Sequence, residues 1–111
     1  MKVTLITVCR NVAPVIAGSI DSVLFQDHSD IEVIVIDGAS SDGTVDLLKA
    51  YGDKITTLVS EPDKGIYDAM NKGLARATGD VIGFVNAGDL LMTPKTIGQV
   101  VQAFENPGID A

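Results

Sequence analysis

The feature that most constrains this chain is the run IEVIVI at positions 31–36, apolar except for Glu32 and followed at once by Asp37. A short segment that is apolar at nearly every position reads as an interior strand of a parallel sheet, because helices cover both of its faces. The run from Val3 to Val8 reads the same way, as does DVIGFV at 80–85, and KITTLVS at 54–60 is a weaker fourth strand.

The intervening segments have helical spacing. Pro14 suits a first helical turn, and Ile16, Ile20, Val23 and Leu24 follow on one face. A second helix starts near SSDGT with Ser41 or Asp42 as cap, carries Val45, Leu48 and Tyr51, and stops at Gly52. A third runs from Lys64 to Ala77. A fourth is capped by Thr93, has Pro94 in its first turn, and turns Ile97, Val100, Val101 and Phe104 inward. Strict alternation of strand and helix predicts an α/β fold: an open, mostly parallel, Rossmann-like sheet of about four strands with helices on both faces, as one domain over 1–111.

Composition narrows the function. With 46% hydrophobic and 21% charged residues among 111, the chain fits one globular core. The formal net charge of −7 and the lack of a basic stripe argue against nucleic acid as a partner. A single cysteine, Cys9, removes internal disulfides and cysteine-rich zinc clusters. The N-terminus lacks the length and cleavage site of a signal peptide, and no run reaches the roughly 20 apolar residues of a membrane span, so a cytoplasmic location is expected.

In open parallel sheets ligands sit beyond the carboxyl ends of the strands, where strand order reverses. Those ends carry CRN, DGASSDGT, EPDKG and NAGD. Taken singly, Asp37 or Asp89 is as readily a turn former as a ligand, and Asp42 and Asp63 read more readily as caps. Glu61 and Asp63 could hold a proton or a metal, or simply form an acidic loop. Cys9 reads as packed, and His28 as a solvated loop residue. Neither a Walker loop nor a GxGxxG fingerprint occurs, so bound phosphates would need other means, and oxygen-ligated Mg²⁺ or Mn²⁺ is the physical alternative.

The blocks TVCRN, SIDSVLFQDHSDIEVIVIDGASSDGT and SEPDKGIYDAMNKGLARATGDVIGFVNAGDLL resemble the family 2 glycosyltransferases of the GT-A fold, most of all the bacterial polysaccharide-building branch. The resemblance implies a nucleotide-sugar donor, usually of uridine, a divalent cation on its diphosphate, and a glycan or lipid-linked acceptor. It places the nucleotide against Val8, Arg10, Asp37, Gly38 and Lys64, and the metal on Asp89 with Asn86. It also implies a length about twice this one, with the catalytic base of an inverting transfer beyond residue 111, so that these residues alone are expected to be inactive. In the whole protein the resemblance extends the expected location to the inner face of the membrane.

Three departures stand out. Arg10 occupies a position where tyrosine is common, Gly38 one where a second aspartate is common, and the usual aspartate pair after the fourth strand is reduced to Asp89 with Asn86. Fewer anionic ligands imply weaker metal binding before the diphosphate arrives. A noncatalytic nucleotide-binding or assembly module is the alternative. A receiver domain would need an acidic pair where CRN stands, and a nucleotidyltransferase a glycine-rich loop after strand one. An unpaired sheet edge at the C-terminal side predicts self-association.

Overall fold

The computed structural model describes residues 1–87 and 96–105, the side chains at 96, 100, 104 and 105 excepted. Asp89, Thr93 and Pro94, and the side chains of Val100 and Phe104, lie outside the described residues. The strands are β1 (Val3–Cys9), β2 (Ile31–Asp37), β3 (Thr57–Ser60) and β4 (Val81–Phe84); the helices are α1 (Ala13–Leu24), α2 (Thr44–Lys49), α3 (Ile66–Arg76) and α4 (Thr96–Glu105). All pairings are parallel, in the order β3-β2-β1-β4, so the expected α/β sheet is present.

Parity along the strands sorts the core. In β1 and β2, Val3, Leu5, Cys9, Val33 and Val35 point to one face and pack with Ile16, Ile20 and Val23 of α1, Leu48 of α2, and Ile97 and Val101 of α4. Ile6, Ile34 and Ile36 point to the other face, against Ala69 of α3. Helices therefore cover both faces, so the polar residues of β1 and β2, Thr4, Thr7, Glu32 and Asp37, are buried. Glu32 lies near the amino ends of the strands. There it accepts hydrogen bonds from Thr4 Oγ1 (2.7 Å), Thr78 N (2.9 Å) and Thr78 Oγ1 (3.0 Å), with Lys2 Nζ 3.9 Å away. Burial alone would raise its pKa, but the bonds from Thr78 and Thr4 and the Lys2 charge more than reverse that and hold it below the usual value.

Three boundaries differ from the sequence expectation. β3 starts at Thr57, because Gly52–Lys54 forms a 3₁₀ turn instead of extending the strand. α2 ends at Lys49, and Tyr51 is held for a separate reason: its hydroxyl donates to Asp21 Oδ1 (2.7 Å), tying this segment to α1. α3 starts at Ile66 behind Gly65, whose φ of 119° and ψ of 179° suit glycine alone, so Lys64 belongs to the preceding loop.

The chain steps outward from β1 to β2 to β3, then returns to place β4 on the far side of β1. Strand order reverses between β1 and β4. The carboxyl ends of those two strands diverge into a crevice there.

Candidate functional site

A cavity of about 300 Å³ opens at this reversal. Val8, Cys9 and Arg10 line it from the end of β1, Asn86 and Ala87 from the end of β4, and Asp63, Ile66 and Ala69 from the loop before α3 and the helix itself. Its walls are mainly apolar with a few polar groups, the composition of small-molecule sites in general.

Asp37, at the end of β2, has no exposed surface. Its Oδ2 accepts from Ser40 N (2.9 Å) and Ser60 Oγ (2.9 Å), and its Oδ1 from Ser40 Oγ (2.6 Å) and Cys9 Sγ (3.5 Å). One carboxylate thus ties together the ends of three neighbouring strands. Burial, and then the neighbouring Asp37 carboxylate, push the Cys9 thiol up to about 12, so it is a neutral donor, packed as expected.

The loops after β1 and β2 are laced to each other. Asn11 N donates to Ser40 Oγ (2.8 Å) and Ser41 N to Asn11 Oδ1 (2.9 Å), while Asn11 and Ala39 take φ of 52° and 57°. Val12 N donates to Thr44 Oγ1 (3.0 Å) and Ala13 N to Asp42 Oδ2 (3.1 Å). Pro14 has no N–H, and Val15 N donates to Val12 O (3.0 Å). The amide donors at the start of α1 are therefore occupied by protein, so this helix end is not free to cradle phosphate as in a dinucleotide fold. Asp42 also accepts from Thr44, and those bonds, that from Ala13 among them, keep its pKa low.

The acidic loop after β3 divides its two carboxylates. Glu61 Oε1 turns outward to Lys72 Nζ (3.2 Å). Asp63 turns to the crevice: Oδ1 accepts from Gly65 N (3.1 Å), and Oδ2 faces Gly38 so closely that a Cβ there would lie 2.7 Å away. Asp63, which the sequence offers as a cap or, with Glu61, as a holder of a proton or metal, lines the cavity beside Arg10. The signal for its placement is Gly38, whose missing side chain leaves the space that Asp63 fills.

Of the residues expected at the site, Val8, Arg10 and Asn86 line the cavity; Gly38 does not line it but packs against two residues that do, Asp63 and Arg10. Asp37 lies beneath, with its oxygens engaged. Lys64 is exposed in the loop next to Asp63, and its N–H donates to Asp68 Oδ2 (2.9 Å). Asp89 lies outside the described residues. Among the described residues no group of three or more His, Cys, Asp or Glu could hold a metal. The donor set still suits a hard cation: Asn86 and Asp89 both offer oxygen, as Mg²⁺ and Mn²⁺ prefer.

The family model for Glycosyl transferase family 2 matches residues 4–111. The chain belongs to this family. An uncharacterized glycosyltransferase of Mycobacterium tuberculosis is 37% identical over 107 residues, covering 96% of this chain and 41% of the relative. A PGL/p-HBAD biosynthesis glycosyltransferase of Mycobacterium bovis is 34% identical over 93 residues, covering 81% and 36%. The chain thus spans about two-fifths of the length of these relatives.

Among solved structures, the mannosyltransferase PcManGT from Pyrobaculum calidifontis, in complex with GDP-Man and Mn²⁺, superposes with a TM-score of 0.87 at 30% identity, covering 97% of this chain and 33% of that one. S. aureus TarS 1-349 in complex with UDP-GlcNAc gives a TM-score of 0.86 at 24% identity, covering 95% and 31%, and shares the fold. The family 2 glycosyltransferase chain is therefore a Rossmann-like unit of GT-A type, with its cavity at the strand-order reversal.

Proposed function

We propose that this chain is the donor-binding portion of an inverting glycosyltransferase that moves a sugar from a nucleotide-diphospho-sugar to a glycan or lipid-linked acceptor in polysaccharide biosynthesis. The observation that carries this reading is the apolar cavity between β1 and β4, with Asp63 and Arg10 on one side and Asn86 on the other. A nucleoside base fits its walls, Asp63 accepts an N–H from the base edge, and the Arg10 guanidinium is suited to stack on the base.

The donor is a UDP-sugar in this reading. One Asp63 oxygen is engaged by Gly65, and the other matches the single imide N–H of uracil. Guanine, which presents two neighbouring donors, is the second reading, supported by the GDP-Man bound in the mannosyltransferase. Val8 shapes the wall, Gly38 leaves room for Asp63, Lys64 reaches the phosphates, and Asp37 acts from below by fixing the strand ends.

Asn86 and Asp89 would hold Mg²⁺ or Mn²⁺, which when bound offsets charge on the leaving diphosphate. The carboxylate that deprotonates the acceptor is placed beyond residue 111, so these residues alone bind donor and do not transfer sugar. Among the described residues no helix is long and apolar enough to cross a membrane. We place the protein in the cytoplasm, with the whole enzyme at the inner face of the membrane. Exposed Ile82 and Phe84 on β4, the last strand of the sheet among the described residues, support self-association, which a monomer by light scattering at high concentration would contradict.

Calorimetry with UDP and with GDP, each with and without Mn²⁺, tests the reading. The expected result is Mn²⁺-dependent binding that Asp89→Asn weakens. Absence of heat with either nucleotide points instead to a noncatalytic assembly module. Unchanged affinity in Asp89→Asn returns Asp89 to a turn former.

A further inference from the structure

We infer that Lys72, on the outer side of α3, is a positioning residue for donor binding: it clips the loop after β3 so that Asp63 is presented to the crevice before the nucleotide arrives. The inference rests on reading that crevice as the donor site. Lys72 Nζ donates to Pro62 O (3.0 Å) and lies 3.2 Å from Glu61 Oε1 and 3.6 Å from Asp68 Oδ2. Its three N–H donors thus face three oxygens, two of them from the residues immediately before Asp63. Asp68 completes the clip from the same helix by accepting from Lys64 N, one residue beyond Asp63. The loop is therefore held to α3 on both sides of Asp63, and Asp63 itself is folded back by its bond from Gly65 N.

Only 20% of the Lys72 side chain is exposed, far less than a lysine free in solvent would show. Without the clip, the segment 61–65 would keep the flexibility that its glycine and exposed position allow, and nucleotide binding would have to order it. Lys72 does not touch the cavity. It acts through Asp63.

The test is titration of UDP with Mn²⁺ into wild type, Lys72→Met, Lys72→Arg, Asp63→Ala and the Lys72→Met/Asp63→Ala double variant, together with amide hydrogen exchange at residues 61–65. Lys72→Met should weaken binding about five- to tenfold and speed exchange in the loop. Lys72→Arg, which can donate to the same acceptors, should restore affinity to within about twofold. In the Asp63→Ala background Lys72→Met should add little, since the two act in series.

If wild type binds nucleotide and Lys72→Met binds equally well, the positioning role is overturned while the donor-site reading stands. A full loss persisting in the Asp63→Ala background also overturns it, because Lys72 would then act on something else. If wild type binds neither UDP nor GDP, the donor-site reading itself fails and takes this role with it.

Discussion

The Asp63 carboxylate occupies the space a side chain at position 38 would need: a Cβ built on Gly38 falls 2.7 Å from Asp63 Oδ2 and 3.5 Å from Arg10 Cβ. Gly38→Ala would therefore move Asp63, the far end of a short side chain in an exposed loop, more readily than it would distort the sheet. The expected outcome is a stability loss below about 1 kcal/mol with nucleotide affinity reduced several-fold. Urea denaturation and calorimetry on one preparation separate the two effects.

A similar substitution in α3 itself should behave differently. A Cβ on Gly73 would meet Ile6 Cγ2 at 2.6 Å, and Ile6 has no exposed surface to retreat into. Alanine favours the helix by about 1 kcal/mol over glycine, yet overpacking costs about 1–3 kcal/mol. Gly73→Ala should lower the urea midpoint; a rise would show that α3 can shift away from β1.

Asp37 separates structural from ligand roles. Asparagine keeps one oxygen and puts its amide hydrogens either against Ser40 N and Ser60 Oγ or against Ser40 Oγ and Cys9 Sγ, groups that already donate to Asp37. The expected cost is about 2 kcal/mol, since buried donors would be left unpaired. An Asp37→Asn variant of wild-type stability that no longer binds nucleotide would instead make Asp37 a direct ligand.

Acid should weaken the fold through carboxylates whose folded pKa is depressed. Glu32 lies below its ordinary 4.5, and Asp42 and Asp68 below 3.8; the bond from Lys64 N is the main cause for Asp68. A depressed folded pKa means that the unfolded chain takes up protons first. The stabilisation is complete above those ordinary values and is lost as pH falls through the folded ones. Glu32→Gln should therefore be less stable than wild type at neutral pH, with the gap narrowing below about pH 4.5 in urea titrations. A gap independent of pH would mean the Glu32 charge is immaterial.

Much of this was legible in the sequence because burial on both faces leaves a plain mark. IEVIVI could be little other than an interior strand, and four such runs alternating with helices specify the sheet. The differences fall where chain geometry rather than periodicity sets the local structure. Spacing puts Tyr51 on α2, yet it lies past the helix end and is held by Asp21, and KITTLVS reads as a strand from Lys54, the residue that closes a 3₁₀ turn. At the site, strand-end position found Arg10 and Asn86, which do line the cavity. The placement of Asp63 in the cavity wall and of Lys72 on the loop is not legible in the sequence, because both are set by contacts across loops: Asp63 with Gly38, and Lys72 with Pro62.

Backbone amide NMR during titration with UDP and Mn²⁺ shows whether the crevice between β1 and β4 receives the nucleotide. Shifts should concentrate at Val8 to Val12, Gly38, Asp63 to Ile66 and Asn86 to Ala87, with little change at Asp21, Phe25 and Lys54 in the groove beside α1. Shifts centred on that groove, with the crevice silent, would contradict nucleotide binding in the crevice.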